Sequence, residues 1–118
     1  MSGYPLAITS VGMVTGVGLN APASCAAIRC AIDNFQETRF MDSGGEWIMG
    51  CEVPLEQPWR GRTKLIKMAT AAIQECLSGN QKIVPQLTAL LLCLTEKERP
   101  GRVFDDDNQF FLDLQEEL

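Results

Sequence analysis

The sequence predicts an α/β layered fold with a largely parallel central sheet. Two apolar runs, one near the N-terminus and one around residue 90, contain few polar residues. Runs of this kind are typical of strands that are covered on both faces. Segments with helical periodicity alternate with the predicted strands, so the order is strand, helix, strand, helix, strand, helix. A length of 118 residues fits one domain.

The first predicted strand is Leu6–Val14, which is rich in β-branched and small apolar residues. A glycine-rich turn begins at the end of this strand, at Gly12, and continues through Gly16 and Gly18. Glycine allows backbone angles that other residues resist. Because Asn is a good N-cap, a helix is expected to begin near Asn20.

This first helix has Pro22 in its first turn, where proline is tolerated. Ile28, Ile32 and Phe35 follow at helical spacing and predict its apolar face. We expect the helix to end near Asp33-Asn34. Four small residues would let it approach its neighbours closely: Ala23, Ala26, Ala27 and Ala31.

The middle of the chain combines an irregular stretch with a short strand. The irregular stretch runs through Asp42–Gly45, a cluster of turn residues. Residues then alternate over Trp47–Val53, which predicts a short strand suited to a sheet edge. Pro54 and Pro58 stop it, since proline cannot donate to a strand ladder.

The clearest amphipathic helix is TKLIKMATAAIQECL, at Thr63–Leu77, and Ser78-Gly79-Asn80 is expected to end it. A stripe of aliphatic residues and methionine at this spacing indicates packed core, not a cofactor site. The predicted buried face comprises Leu65, Met68, Ala69, Ala72, Ile73, Cys76 and Leu77.

The third predicted strand is Leu87–Thr95, which has almost no polar interruption. A charged turn, Glu96–Arg102, separates it from a helix at Asp105–Leu118 that starts with acidic residues, as the helix dipole favours. The apolar stripe of this helix comprises Phe110, Phe111, Leu114 and Leu118. Because the sequence stops on that stripe, we expect either a ragged end or a piece of a longer protein.

Composition excludes several classes of function. The formal charge of −5 argues against nonspecific nucleic-acid binding, which needs a basic face. The sequence has neither a bilayer-spanning apolar run nor a secretory signal, which predicts a cytoplasmic protein without a membrane. Histidine is absent, so imidazole can serve neither as general base nor as metal ligand.

Five scattered cysteines form no C-x-x-C pair, so a zinc site is not expected. Buried, reduced thiols that pack as small hydrophobes fit their apolar surroundings best. They are Cys25, Cys30, Cys51, Cys76 and Cys93.

The opening stretch AITSVGMVTGVGLN resembles the N-terminus of β-ketoacyl synthases, in which a strand enters a G-x-G-x-V-T-P-x-G turn. Gly12, Val14, Thr15 and Gly18 match that pattern, whereas Ser10 and Gly16 replace its usual first Gly and its Pro. Four further segments resemble family segments in the same order: TRFMD at 38–42, GCEVP at 50–54, KMATAAIQECL at 67–77 and ALLLCLT at 89–95.

The resemblance covers nearly the whole chain and implies the N-terminal portion of a thiolase-like layered fold, with residues 1–118 as an incomplete half. Members of the family dimerise. The glycine turn would then be a structural corner between the central sheet and the first helix. Phosphate cradling is the alternative, but the Rossmann spacing G-x-G-x-x-G is absent.

Family members are acyltransferases that condense an acyl chain with a malonyl unit on acyl carrier protein. Their nucleophile is a cysteine at a helix N-terminus, supported by two histidines or by histidine and asparagine. Cys25, in APASCAA, looks like the family's T-A-C-S-S but lies too early in the chain, so we interpret it as a packed residue. Cys93, in a predicted buried strand, is a still weaker candidate. No catalytic, cofactor-binding or metal-binding residue can be assigned.

One basic cluster comprises Arg60, Arg62, Lys64 and Lys67. The resemblance allows it to dock the acidic helix of an acyl carrier protein. A solvated helix start is the simpler interpretation.

Three functional hypotheses follow. The chain is the N-terminal portion of a β-ketoacyl synthase whose catalytic Cys and His lie elsewhere. Alternatively, it is a divergent, non-catalytic adaptor or accessory, of the kind that accompanies polyketide synthesis or bacterial type VI secretion effectors. A weaker hypothesis is a free-standing half that pairs with a second subunit. The charged turn Glu96–Arg102, which replaces a glycine-rich family turn near the acyl channel, favours divergence.

Overall fold

The computed structural model describes residues 3–102 and 106–118. Its two compact units are unit 1, Met1–Gly12 with Arg60–Leu118, and unit 2, Met13–Trp59. The elements are α1 (Ala21–Arg29), β1 (Gln36–Met41), β2 (Trp47–Gly50), α2 (Gly61–Ser78), a 3₁₀ turn (Pro85–Leu87) and α3 (Asp107–Glu117).

The predicted parallel sheet, and with it the thiolase-like layered core, is wrong. Within residues 3–102 and 106–118 the one sheet is the antiparallel pair β1–β2. Leu6–Val14 lies outside any strand, and in Leu87–Thr95 only Leu87 belongs to a regular element, the 3₁₀ turn, while residues 88–95 belong to no helix or strand. An apolar, β-branched composition favours extended backbone, but a strand also requires a neighbour that accepts its hydrogen bonds. The described chain supplies no such neighbour.

Unit 2 contains a β-hairpin where an irregular stretch was expected. Its turn is organised by Asp42, whose Oδ1 accepts the N–H groups of Gly44 at 2.8 Å and Glu46 at 3.0 Å. Gly45 has a φ of +83°, a conformation that favours glycine. β2 begins at Trp47 as predicted but ends at Gly50 rather than at Val53.

The start of α1 confirms the sequence prediction, since Asn20 Oδ1 accepts the N–H of Ala23 at 2.9 Å and Pro22 lies in the first turn. Its end was placed too late. Ala31 has a φ of +54°, which terminates the helix after Arg29.

The predicted apolar face of α1 is also wrong, because Ile28, Ile32 and Phe35 are all exposed. The side that is buried carries small residues: Ala21, Ser24 and Ala27.

Unit 1 is built on the packing of α2 against α3. Ile66, Phe110 and Leu114 form its buried cluster, and the partly buried Ala69, Ile73, Leu92 and Leu94 pack against them. The extent of α2 is close to that predicted, and six of the seven residues of its predicted face are half-buried, but the most buried positions are others. Ile66 and Thr70 are the fully buried positions, whereas Leu65 is exposed.

α3 forms where the sequence predicts a helix, although the expected first residue, Asp105, lies outside the described residues. Asp106 caps it by accepting the N–H groups of Asn108 at 2.9 Å and Gln109 at 3.3 Å. Its predicted stripe is buried only in part, because Phe111 and Leu118 are exposed beside the buried Phe110 and Leu114. None of the described helices combines the length and apolarity needed to cross a bilayer.

Candidate association surface

The glycine turn of unit 2 is closed by its own hydrogen bonds. Thr15 N–H donates to Gly18 O at 2.8 Å, and Gly18 N–H donates to Thr15 O at 3.4 Å. Val17 N–H donates to Thr15 Oγ1 at 3.2 Å. A phosphate cradle needs N–H groups that point at the ligand, and three N–H groups of this turn are already engaged. These bonds support the structural interpretation of the turn, although no described strand of a central sheet precedes it.

The three glycines serve close approach rather than unusual backbone angles, which corrects the sequence expectation. None of Gly12, Gly16 and Gly18 has a positive φ. A Cβ on Gly18 would lie 2.8 Å from Ser24 Oγ, and one on Gly16 would collide with Cys51 Sγ. In unit 1, a Cβ on Gly12 would collide with a backbone carbonyl of α2.

Ser10, which stands where the resembled motif has its first glycine, has a local structural role. Its hydroxyl donates a 2.6 Å hydrogen bond to the backbone carbonyl of Cys76, close to the C-terminus of α2. Carbonyl groups at a helix C-terminus lack intrahelical partners, and a hydroxyl can satisfy one of them. Glycine at this position could not.

The expectation of buried cysteines is wrong for four of the five. Cys25, Cys30, Cys51 and Cys93 are exposed, and Cys76 is half-buried. Cys25 lies within α1 and Cys93 lies in the extended segment after the 3₁₀ turn. Within the described part of the chain, no group of three or more His, Cys, Asp or Glu side chains is placed to hold a metal ion.

The basic cluster at the start of α2 largely contacts α3. Arg62 Nε lies 3.1 Å from Asp113 Oδ2, and Lys67 Nζ lies 2.7 Å from Glu117 Oε2. These two ion pairs join the helices and neutralise half of the predicted basic surface. Docking of an acyl carrier protein on this cluster stays a prediction.

The largest unexplained feature of unit 1 is the set of apolar side chains that are exposed on segments outside its helices. Leu6 is 99% exposed and Leu91 is 90% exposed. We call residues 89–95 the edge segment. Its side chains alternate as in a strand, with Leu92 and Leu94 packed on the helices and Leu91 and Cys93 turned outward.

The edge segment also carries unpaired backbone groups. Neither it nor residues 3–12 forms a strand or a backbone hydrogen bond with another described segment. Such a backbone can accept a strand from another polypeptide. Sequence reasoning located the segment through its apolar run but assigned it to the interior of a sheet.

The total accessible surface of the chain is larger than that of a folded protein of the same mass. It exposes 9351 Å², whereas folded proteins of its 13.0 kDa expose about 6,300 Å². Two separate bodies of the sizes of the two units would together expose roughly 7,600 Å².

A second apolar surface lies on the hairpin of unit 2. Met41, Trp47 and Met49 are exposed, and the strand register places Met41 opposite Trp47. Methionine adapts its shape to irregular partners. Sequence reasoning missed this surface because β1 was expected to be irregular.

Comparisons with protein-family models, curated proteins and solved structures find no match to this chain. The relationship to β-ketoacyl synthases that the sequence motifs suggest therefore stays a prediction.

Proposed function

We propose that this chain is a divergent, non-catalytic relative of β-ketoacyl synthases that functions by associating with another polypeptide. The observation that carries the proposal is the exposure of apolar side chains in unit 1, in segments that belong to no described helix or strand. Exposed apolar surface beyond ~400–600 Å² marks an interaction site in most proteins. An accessory or adaptor protein uses such a surface for its function.

The chemistry of the described residues favours this class over an enzyme. A cysteine nucleophile needs a base or a comparable activating group beside it. The sequence supplies no histidine, and the exposed Sγ of Cys25 contacts no polar partner in the described chain. We therefore assign Cys25 no catalytic role.

The charged turn Glu96–Arg102 supports divergence from the active enzymes. Arg102 bonds to Asp107 and donates from Nε to Thr95 Oγ1 at 3.4 Å, and Arg99 lies 4.0 Å from Glu96. Glu96, Arg99 and Arg102 thus each have an oppositely charged partner nearby. A turn of this composition is unsuited to the lining of an acyl channel, since burying charges there would cost desolvation energy.

A second candidate is the N-terminal portion of an active β-ketoacyl synthase. The order of its five motif-like segments favours this reading. In that case the catalytic cysteine and its histidines are not among these 118 residues. Both candidates place the chain in the cytoplasm, and five unpaired cysteines suit a reducing compartment.

Thiol labelling tests the proposal with a built-in control. The 118-residue chain is treated with an electrophilic ketosynthase inhibitor, and the labelling rates of Cys25 and Cys30 are compared by peptide mass spectrometry. Both thiols are exposed and both belong to the α1 region. Equal rates are expected, because neither thiol is activated.

A condensation assay with malonyl and acyl carrier protein accompanies the labelling. We expect no product. Faster labelling of Cys25 than of Cys30, together with product formation that is lost in Cys25→Ser, would refute the proposed function.

A further inference from the structure

We propose that one face of the hairpin in unit 2 is a binding site for a soft monovalent metal ion, Cu(I). Its ligands are the thioether sulfurs of Met41 and Met49, and the indole ring of Trp47, which is next to both in the strand register, adds a cation–π contact. This inference is independent of the proposed function, because it concerns the other unit and a different class of ligand.

The strand register brings these three residues to the same face of the hairpin. Met41 of β1 lies directly opposite Trp47 of β2. Directly opposed residues of an antiparallel pair share a face, and so do residues two apart on one strand, which adds Met49. The irregularity of the register lies in β1 between Glu37 and Met41, so it does not separate Met41 from Trp47.

The two methionines are close enough for their sulfurs to reach one ion. They are diagonal neighbours across the hairpin, and such pairs are about 7–8 Å apart, within reach of long side chains. Methionine is unbranched and has three rotatable bonds, so its sulfur can adjust to an ion between the two strands. Met41 is 54% exposed and Met49 is 58% exposed, which leaves both side chains open to an ion from solution.

The donor atoms determine which metal the face would bind. Thioether sulfur is a soft ligand that selects Cu(I), whereas Mg²⁺ and Ca²⁺ prefer oxygen. Because a thioether is only a weak hydrogen-bond acceptor, little hydration is lost when its sulfur binds a metal. A pair of thioethers is also a different donor class from clusters of Cys, Asp and Glu, none of which is placed to hold a metal in the described part of the chain.

The charges around this face favour a cation. Glu37 lies directly opposite Met49 and therefore on the same face. Including Glu37, residues 36–50 contain three carboxylates and one basic residue, Arg39. The Nη2 of Arg39 lies 3.3 Å from Glu52 Oε1, so its charge is already paired. The net negative charge of the hairpin raises the local concentration of cations.

Methyl NMR of the full chain tests the proposal. The five cysteines are replaced by serine, because exposed thiols would bind the metal first. The chain is labelled with ¹³C in its methionine methyl groups and titrated with Ag(I), a soft ion of the same charge that does not change its oxidation state in air. The methyl signals of Met41 and Met49 should shift together and saturate at one ion per chain.

Far-UV circular dichroism checks that the serine chain retains its helices. If that chain unfolds, the wild type is titrated instead, with five further equivalents of Ag(I) to fill its thiols. The same two methyl signals should then shift last and together.

Leu112→Met provides the matched control. Leu112 is 54% exposed, as Met41 is, but it lies on α3 in unit 1. The methyl group introduced there should shift only at Ag(I) concentrations at least about tenfold higher, because a single surface thioether offers the ion one ligand.

Substitutions on the hairpin test whether the two sulfurs share one ion. Met41→Leu keeps an apolar side chain and removes one sulfur, so the affinity for Ag(I) read at Met49 should fall by at least about tenfold. Met49→Leu should have the same effect on the affinity read at Met41. Trp47→Leu should weaken binding by about two- to fivefold, as expected for an exposed cation–π contact.

Two results would overturn the inference. One is a titration in which Met41, Met49 and the methionine introduced by Leu112→Met all shift at the same Ag(I) concentration. The other is a curve for Met49 that Met41→Leu leaves unchanged, since the two sulfurs would then not share an ion. Either result would leave this face of the hairpin as a contact surface for another polypeptide, and neither bears on the labelling of Cys25 that tests the proposed function.

Discussion

In unit 1, large apolar side chains from α2 and α3 interlock, whereas the fully buried positions of unit 2 hold small side chains. Ile66, Phe110 and Leu114 are each almost completely removed from solvent in unit 1. In unit 2 the buried residues are Ala21, Ser24 and Ala27. The two units therefore show different physical bases of stability.

Polar contacts take the place of an apolar cluster in unit 2. Ser24 Oγ donates to Gly18 O at 3.0 Å and lies 2.9 Å from Thr15 Oγ1. Asn34 Nδ2 donates to Gly16 O at 3.0 Å and to Glu52 O at 3.2 Å. Small side chains permit the backbone to approach closely, and hydrogen bonds then fix the geometry that apolar packing does not.

This difference explains why unit 1 would gain more stability than unit 2 from association with a partner. An apolar core stabilises in proportion to the area it removes from water. Unit 1 places part of its apolar sequence in such a core and leaves the rest on the edge segment. Unit 2 depends on directional bonds between neighbouring segments and needs less apolar burial.

Truncation of the unit 1 core is expected to have the largest effect. Leu114, at 1% exposed, is packed between the helices, so Leu114→Ala should lower the free energy of unfolding by about 2–5 kcal/mol. Leu112→Ala, on the same helix at 54% exposed, should change it by less than ~0.5 kcal/mol. Urea denaturation followed by circular dichroism measures both. Equal losses would contradict the assignment of the core.

Removal of the buried hydroxyl in unit 2 comes next. Ser24→Ala removes one hydrogen bond to Gly18 O, which keeps the bond from Thr15 N–H, and should cost about 0.5–1.5 kcal/mol. Hydrogen exchange of the α1 amides reports the loss locally, without depending on unit 1. Ser43→Ala, in the exposed hairpin turn, is the control and should leave exchange unchanged. A neutral Ser24→Ala would show that the small residues alone stabilise this unit.

A buried polar atom in unit 1 predicts a gain in stability. Thr70 Oγ1 is buried on α2 and has no hydrogen-bond partner in the part of the chain that the structure describes. Thr70→Val keeps the shape and removes the unsatisfied group, so stability should rise by about 1 kcal/mol. Thr63→Val, at an exposed position of the same helix, tests for a general effect of valine. A loss of stability in Thr70→Val alone would indicate that the hydroxyl has a partner in solution.

The ion pairs between α2 and α3 should contribute least. A double-mutant cycle with Lys67→Met and Glu117→Gln is expected to give a coupling energy of about 0.2–1 kcal/mol that falls in concentrated salt. The exposed pair Glu96–Arg99, at 4.0 Å, should couple less strongly. A coupling energy that does not change with salt would mean that the two side chains interact by packing rather than by charge.

Local signals in the sequence predicted the helices well. Asn20 caps α1, and α2 and α3 lie within two residues of their predicted ends. Caps and helical periodicity act over a few residues, so they can be read from the chain directly. The end of α1 was missed because Ala31 adopts a left-handed conformation, which alanine rarely does.

Signals that depend on distant neighbours failed. The apolar runs at Leu6–Val14 and Leu87–Thr95 predicted strands, but a run fixes only the tendency of the backbone to extend. β1 was missed because its residues, such as Glu37 and Arg39, resemble a loop in composition until β2 pairs with them. The association surface was hidden for the same reason, since its residues looked like interior.

The sequence by itself determined where the chain is helical and which segments are apolar. The tertiary structure decided which faces of those helices are buried, that residues 36–41 pair with residues 47–50, and that the edge segment is left uncovered. Helix formation depends on hydrogen bonds between residues four apart, whereas strand pairing and burial depend on partners that sequence position does not specify.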